Sequence, residues 1–487
     1  MRLDALLPGA DLAPELSGLE ISGLSADSRT IEPGFLFFAI AGHKGDGLDF
    51  LADANARGAV AVVAQRMTPS AAPILLVPDA RRALSLAAAR FHPRQPGEIA
   101  LVTGTSGKTS VVAFLRQIWQ ALGHETSSLG TIGLVDKCGA RYGALTTPGP
   151  VELHEILDAS ARRGVTHLAM EASSLGIEQR RLDGVKATLA AFTNFSRDHL
   201  DHHPDLEAYF LAKMRLFEAL MQPGQTVVVD ADSDAAPRVL EVLRARGLTP
   251  FTVGAKGEGI TLLESRPHTL ATTLRLRHGF QDYEIDLPLA GAFQTANALV
   301  AAGLAIASGD APAQVFPALS RLRGAPGRLE LVGAKDGAPI FVDYAHKPDA
   351  LEKVLQVLRP LTKGRLIVVF GCGGDRDQGK RPLMGAIAAR DADAVIVTDD
   401  NPRSEDAASI RAAILAGARE VDPAKAVEIA DRESAIRSAI AGLGAGDVLV
   451  VAGKGHETGQ IVGKTTYPFS DQDVVAEALG LTREEVA

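Results

Sequence analysis

Twelve residues, Ile99 to Ser110, restrict what this chain can fold into more than any other stretch. A short aliphatic run, Ile-Ala-Leu-Val-Thr, breaks into Gly104-Thr105-Ser106-Gly107-Lys108-Thr109-Ser110, and Val111 to Leu122 then has helical periodicity. The pattern is strand, glycine turn, helix. Such a turn aims successive backbone N–H groups and a positive helix terminus into one concavity, where phosphate oxygens can replace water. Lys108 adds a point charge for the outer phosphates, and the Thr109 hydroxyl is placed to reach a magnesium ion. Only Thr105 and Ser106 separate the two glycines, where the common phosphate-loop pattern has four residues. A plain βα turn is the weaker alternative, because such turns rarely also carry Gly-Lys-Thr-Ser. The reading is an ATP site.

A chain of 487 residues has room for about three domains. With 46% hydrophobic but only 5% aromatic residues, the cores are aliphatic, as in α/β proteins. The net charge of −9 argues against a nucleic-acid partner. Cys138 and Cys372 are the only cysteines, too few for a disulfide framework or a thiolate zinc site, so a reducing compartment is expected. Met1 to Gly18 carries Asp4, Asp11 and Glu15 without an apolar core of signal-peptide length, and no apolar run approaches a membrane span. The expectation is a soluble, cytoplasmic monomer whose partners are small molecules.

Composition and spacing divide the chain into 1–95, 96–328 and 329–487. In the first part, Asp27-Ser28-Arg29 and Gly42-His43-Lys44-Gly45 are polar loops on one side of a small α/β domain, and His92 to Gly97 reads as a linker. In the central part, the strand Thr166 to Met170 ends in Glu171-Ala172-Ser173-Ser174. A carboxylate at the C-terminal end of a parallel strand faces the ligand crevice, so Glu171 is a candidate magnesium ligand. The run Thr193 to His203 has the look of a transition-metal cluster. Without cysteines, and beside a phosphate loop, it fits a hard cation with at most one imidazole, and His202 and His203 read as solvated helix-start residues. Lys213, on the apolar helix Tyr209 to Phe217, reads by itself as a snorkelling stem.

The last part alternates strands (Ile340–Val342, Leu366–Phe370, Ala394–Val397, Val448–Val451) with helices, a parallel pattern of dinucleotide-fold type. Its strand-end loops carry the chemistry. Asp343-Tyr344-Ala345-His346 could receive a nucleotide base, unless Tyr344 is merely a core aromatic. Arg376 and Arg403 suit carboxylate capture, and with Gly453 and Glu457 they suggest a site for a zwitterion.

At this point the residues resemble the Mur ligase family, ATP-dependent amide-forming enzymes of peptidoglycan precursor synthesis, over essentially the whole chain. The matching blocks are Gly104 to Ser110, Thr146-Thr147-Pro148, Met170 to Ser174, Asn194 to Leu200, Ala212-Lys213, Gly327 to Glu330, Asp343 to His346 with Pro348, Gly371 to Asp377, Asp400 to Arg403 and Gly453 to Glu457. The resemblance implies a three-domain α/β architecture with a central P-loop-type parallel sheet and a Rossmann-like C-terminal domain. It implies that Gly104, Thr105, Ser106, Gly107, Lys108, Thr109, Ser110, Asn297, Arg328, Asp343, Tyr344 and His346 bind ATP. Thr109 and Glu171 would hold one magnesium ion. His199 and Lys213 would serve a second, with Lys213 modified to N6-carboxylysine, and Lys108, His199 and Lys213 form the catalytic set. Ala26, Ser28, His43, Lys44 and Gly45 would meet the uridine nucleotide; Thr146, Thr147, Ser173, Gln179 and Arg181 would hold the muramoyl-dipeptide.

Asp400-Asn401-Pro402-Arg403 has the form found in members that add meso-diaminopimelate, so Arg376, Asp400, Asn401, Pro402, Arg403, Gly453 and Glu457 would bind that amino acid. The implied reaction joins it to UDP-N-acetylmuramoyl-L-alanyl-D-glutamate through an acyl phosphate, with closure hinged near Gly324 to Arg328. Leu175 stands where the family usually has histidine, and Gln294 where asparagine is usual. The competing readings are a ligase adding the terminal dipeptide, a folate polyglutamate synthase, a small-molecule phosphotransferase and a nucleotide-dependent switch.

Overall fold

The computed structural model describes residues 1–9, 13–42, 45–143, 145–198, 202–268 and 270–481. The chain forms two compact units: Met1–Leu262 with Arg277–Asp282 and Ala296–Ala318, and Leu263–Leu276 with Tyr283–Thr295 and the residues from Leu319 onward.

The first unit holds two sheets. The smaller is four parallel strands in sequence order, Gly23–Ser25, Phe35–Phe38, Ala61–Ala64 and Ile74–Leu76. Successive side chains on a strand face opposite ways. Leu36 and Phe38 accordingly pack with Val63, Leu84 and Ala88 on one face, while Phe37 packs with Leu51, Ala54 and Val62 on the other. Asp27-Ser28-Arg29 is partly a capping device: the Asp27 side chain accepts from Arg29 N at the start of the 3-10 turn Ser28–Thr30. The expected linker at His92–Gly97 is tied down. Gln95 donates to Gly184 O at 2.9 Å and accepts from Lys186 N at 2.9 Å.

In the larger sheet the strands Thr249–Gly254, Thr226–Asp230, Leu189–Phe192, Glu98–Thr103, His167–Glu171 and Thr126–Gly130 lie side by side in that order, each parallel to the next, and two antiparallel strands follow, Gly133–Asp136 and Gly139–Arg141. The Glu98–Thr103 strand is interior, and Ile99 to Val102 are fully buried, which explains an aliphatic run without alternation. It feeds the helix Lys108–Ala121. Trp119, the chain's sole tryptophan, is fully buried on that helix and donates its ring N–H to Ser308 Oγ at 3.0 Å. The sequence reading missed several strands, among them Thr126–Gly130, Thr226–Asp230, Thr249–Gly254 and three more, Ile260–His268, Ala271–His278 and Gln281–Leu287, whose residues are divided between the two units. In the last two of these strands the side chains alternate, with Thr272, Leu274, Leu276, Ile285 and Leu287 buried and Arg275, Glu284 and Asp286 exposed between them.

The second unit is built on a six-stranded sheet in the order Glu330–Lys335, Ala338–Asp343, Val448–Ala452, Leu366–Phe370, Ala394–Val397, Ala426–Glu428, parallel except for its first strand. Helices Lys380–Asp391 and Ala407–Val421 cover one face and pass unusually close to each other. A Cβ on Gly385 would lie 2.0 Å from Ile414 O, and one on Gly417 2.0 Å from Pro382 O. Gly385→Ala is therefore expected to destabilise the protein. The gain in helix propensity is about 1 kcal/mol, whereas backbone-level overpacking costs about 1–3 kcal/mol. A denaturation midpoint equal to or above wild type would contradict this. On the opposite face the fully buried Arg432 is held by Asp471, with both oxygens at 2.8 Å, and donates to Ala452 O at 2.9 Å, fixing the strand that carries the Gly453–Glu457 loop.

Candidate active site

The glycine turn adopts the shape its sequence predicts. Gly104 and Gly107 have φ of 142° and 86°, and neither has room for a side chain: a Cβ at Gly104 would lie 2.0 Å from Thr193 Oγ1, and one at Gly107 2.2 Å from Asn297 Oδ1. The loop is clamped by the segment after the neighbouring strand. Asn194 accepts from Ser106 N at 3.0 Å and from Thr105 N at 2.8 Å, and Thr193 Oγ1 donates to Ser106 O at 2.7 Å. Asn297 is thereby placed against the phosphate loop, and Thr109 and Ser110 are buried in the first helical turn.

Two lysines converge behind the loop. Lys108 Nζ donates to Gly104 O and Thr105 O, both at 2.9 Å, and Lys213 Nζ donates to the same Gly104 O at 2.8 Å. Lys213 is 1% exposed, so it does not snorkel, correcting the residue-level reading. Its ammonium position lies 4.2 Å from the centre of the Tyr209 ring. Burial, and then the Lys108 charge, pushes its pKa well below the usual lysine range. His203 is a second correction. It is 1% exposed, sits 3.1 Å from Ser174 Oγ and packs on Tyr209 at 5.1 Å between ring centres. Its neighbours are distant in sequence, and no local pattern announced them. His199 lies outside the described residues.

Glu171 pairs in register with Val102, which puts it beside the phosphate-loop strand. It is buried and accepts from Thr131 N at 2.8 Å and from Thr131 Oγ1 at 3.2 Å. A Cβ on Gly130 would lie 2.2 Å from Glu171 Oε1, so the strand end is kept clear for the carboxylate. Thr131, absent from the sequence-derived set, also meets Thr146 Oγ1 at 3.1 Å. From there a chain of contacts joins the residues expected to hold the muramoyl-dipeptide. Thr147 Oγ1 lies 3.0 Å from Ser173 Oγ and accepts from Ser173 N at 3.1 Å; Arg181 donates to Thr147 O and to Gln179 Oε1, each at 2.7 Å. Ala26, Gln179 and Arg181 line one cavity of 260 Å³. Ser28 is buried, Gly45 is exposed, and His43 and Lys44 lie outside the described residues.

The second unit gathers its own set. The buried Asp343 accepts from Leu329 N at 2.6 Å and Ala345 N at 2.7 Å, and burial pushes its pKa up to about 6. The Arg328 guanidinium lies 4.4 Å from the Tyr344 ring centre, a cation–π contact, and the His346 and His456 rings are 4.5 and 5.1 Å away. Burial brings His346 down to about 4, so its ring is neutral at physiological pH. Gln294 donates to Arg328 O at 3.1 Å.

Nearby loops bring Asn401 and Glu457 together at 2.8 Å. Lys454, fully buried and absent from the sequence-derived set, donates to Glu457 Oε2 at 3.1 Å and to Asn401 Oδ1 at 3.2 Å. Asp400 is buried beside Gly453, where a Cβ would lie 2.8 Å from Asp400 Oδ2, and Pro402 is buried next in line. Arg403 has a φ of 52°, donates its guanidinium to Gly374 O at 2.8 Å, and is bracketed through its backbone by Ile461 and Gly463. The bracketing segments belong to a hairpin, Gly459–Val462 with Thr465–Pro468, that the sequence reading did not foresee. Arg376 is exposed in its own loop.

Residues 20–92 match the Mur ligase family, catalytic domain; residues 102–305 match the Mur ligase middle domain; residues 327–455 match the Mur ligase glutamate ligase domain. A Bradyrhizobium diazoefficiens protein named UDP-N-acetylmuramoyl-L-alanyl-D-glutamate–2,6-diaminopimelate ligase is 55% identical over 96% of this chain and 97% of its own. A Brucella melitensis protein of the same name is 52% identical over 100% and 99%. A solved structure titled with that ligase name superposes with a TM-score of 0.72 at 31% identity, covering 99% of each chain. The chain belongs to the Mur ligase family, the ATP-dependent ligases that form amide bonds in peptidoglycan synthesis.

Proposed function

We propose that this protein joins meso-diaminopimelate to the D-glutamyl γ-carboxylate of UDP-N-acetylmuramoyl-L-alanyl-D-glutamate, in the cytoplasm, at the expense of ATP. The observation that carries the choice of amino acid is the Asn401–Glu457 contact with Arg403 two residues further on: a carboxylate and a forked guanidinium at the end of one sheet, as a zwitterion with a distal carboxylate requires. The names of the relatives agree with this reading.

A carboxylate is a poor electrophile, and phosphorylation corrects that. The ATP γ-phosphoryl group passes to the γ-carboxylate, breaking its bond to ADP and giving an acyl phosphate. The amine of diaminopimelate then attacks the acyl carbon, loses a proton, and phosphate leaves. In this scheme the loop from Gly104 to Ser110 cradles the phosphates and Lys108 turns from the loop carbonyls to the transferring group. The contacts among Thr146, Thr147, Ser173, Gln179 and Arg181 hold the dipeptide end in one pose. Asn297, Arg328, Asp343, Tyr344 and His346 serve the rest of the nucleotide.

Magnesium fits the donors present. The Glu171 carboxylate and Thr109 hydroxyl are hard oxygen ligands beside a phosphate site, the few-protein-ligand arrangement that magnesium prefers. Bound there, it would neutralise charge developing on the phosphoryl oxygens. Lys213 fits a second ion with His199 only as a carbamate. Its depressed pKa favours the free amine, which attacks carbon dioxide, forms an N–C bond and releases a proton.

The test is ADP release with ATP, magnesium and the UDP-muramoyl-dipeptide, comparing meso-diaminopimelate, L-lysine and no amine. Release with diaminopimelate alone is expected. Turnover indifferent to the amine would overturn the ligase reading, and a preference for lysine would overturn the choice of substrate.

A further inference from the structure

The 260 Å³ cavity of the first unit has a feature that the sequence-derived set does not explain. Alongside Ala26, Gly42, Pro150, Gln179 and Arg181 it is lined by Arg81. Arg81 stands in the first turn of the helix Ala80–Phe91, which is capped by Asp79. It donates to Ala41 O, in the strand-end loop that leads to Gly42. The surrounding acids are committed elsewhere. Asp79 takes Arg180 at 3.1 Å, and Asp183 takes Arg215 at 2.6 Å and Arg82 at 3.5 Å. Arg180 has a φ of 60°; this kink lets successive side chains diverge, one to Asp79 and the next, Arg181, to the cavity. Among the described residues, Arg81 and Arg181 are thus left with carbonyl and amide partners and no carboxylate.

Two guanidinium groups facing one cavity repel each other. Burial and the Arg81 charge both hold Arg181 below its usual pKa. A folded protein does not need that arrangement for its core, and an anion entering between the groups relieves it.

We propose that Arg81 is a substrate-binding residue that, with Arg181, clamps one oxyanion of the nucleotide-linked substrate. The inference rests on the reading of that substrate given above. It extends it by one residue and by a chemical class: the clamped group is a diphosphate or a carboxylate of the ligand, held by charge-assisted and forked hydrogen bonds. Ala26 is assigned to the uridine end, and Gln179 and Arg181 to the dipeptide end. The cavity between them therefore receives the part of the ligand that carries these anions.

The test uses the full chain and calorimetric binding of three probes: UDP, UDP-N-acetylmuramate and UDP-N-acetylmuramoyl-L-alanyl-D-glutamate. Arg81→Gln keeps a donor for Ala41 O and removes the charge. Loss of a charge-assisted pair is expected to weaken binding about tenfold or more, to flatten its salt dependence, and to raise KM for the nucleotide substrate while KM for ATP and for the amine stays put. Arg81→Lys is expected to recover part of the loss. Weakening of all three probes assigns the clamp to the diphosphate; weakening of the dipeptide-bearing probe alone assigns it to the D-glutamyl carboxylate. Affinities within twofold of wild type for every probe, with unchanged melting temperature, would overturn the clamp and leave the ligase reading intact. Wild-type protein that binds none of the probes would overturn both.

Discussion

Lys213→Met is expected to reduce ligase turnover by about a thousandfold or more, the scale of losing several kcal/mol of charge stabilisation at the phosphoryl group, while the protein folds as well as wild type. Methionine replaces the buried stem at similar volume and removes an ammonium that the interior disfavours, so stability is not expected to fall. The second arm concerns carbon dioxide. Wild-type activity is expected to drop in carbon-dioxide-depleted buffer and to recover with bicarbonate, and the variant is expected to ignore both. The pH dependence follows from the direction of the shift. Burial and Lys108 lower the Lys213 pKa, so the free amine survives to lower pH than in an exposed lysine. Protonation below that value blocks the carbamate, and acid therefore deepens the dependence on carbon dioxide. A carbamate carbon resonance after labelled bicarbonate is the direct readout. No such signal, together with turnover unaffected by carbon dioxide, would assign Lys213 a packing role alone.

The second large effect is on specificity. Arg403→Ala is expected to lower kcat/KM for meso-diaminopimelate by about three to four orders of magnitude, because a site built to pair with a substrate charge strongly penalises its loss. Activity with L-lysine, which lacks the distal carboxylate, should change little. The geometry explains why Arg403 and not any nearby cation is the partner expected. Its backbone is fixed in the left-handed region between Ile461 O and the Gly463 N–H, and its guanidinium is steadied by Gly374 O. Gly373 lies against it: a Cβ there would be 2.7 Å from the Arg403 guanidinium and would push that end of the side chain aside. If the preference ratio between the two amino acids is unchanged, the carboxylate partner is Arg376 instead.

What could be read from sequence was local. The phosphate loop declares itself because its geometry needs glycine at two fixed positions and a helix directly after them. The strands Leu366–Phe370 and Ala394–Val397 were legible to the residue, because buried parallel strands are unbroken aliphatic runs. The strands from Ile260 to Leu287 were overlooked although Leu274, Leu276, Ile285 and Leu287 form a buried alternating face, whereas the hairpin beside Arg403 has no buried face to announce it. The site shows the same division. Glu171 at a strand end could be inferred from position. The burial of Lys213 and His203, the Thr131 contacts to Glu171, and Lys454 between Asn401 and Glu457 depend on segments far apart in the chain. The family resemblance supplied a role for Lys213 where helical periodicity alone misjudged it. Arg81 was invisible for the same reason in reverse: only the fold shows which arginines the available acids leave over.

The lone tryptophan gives the molecule a built-in fluorescent reporter of one half only. Trp119 lies in the first unit, on the helix that begins at the phosphate loop, with its ring edge-on to His167 at 4.9 Å. Burial brings His167 down to about 4, so that imidazole is neutral at neutral pH. Emission therefore follows the melting of the first unit, to which Trp119 belongs. Unfolding curves from fluorescence and from circular dichroism will superimpose only if the two units lose their structure together.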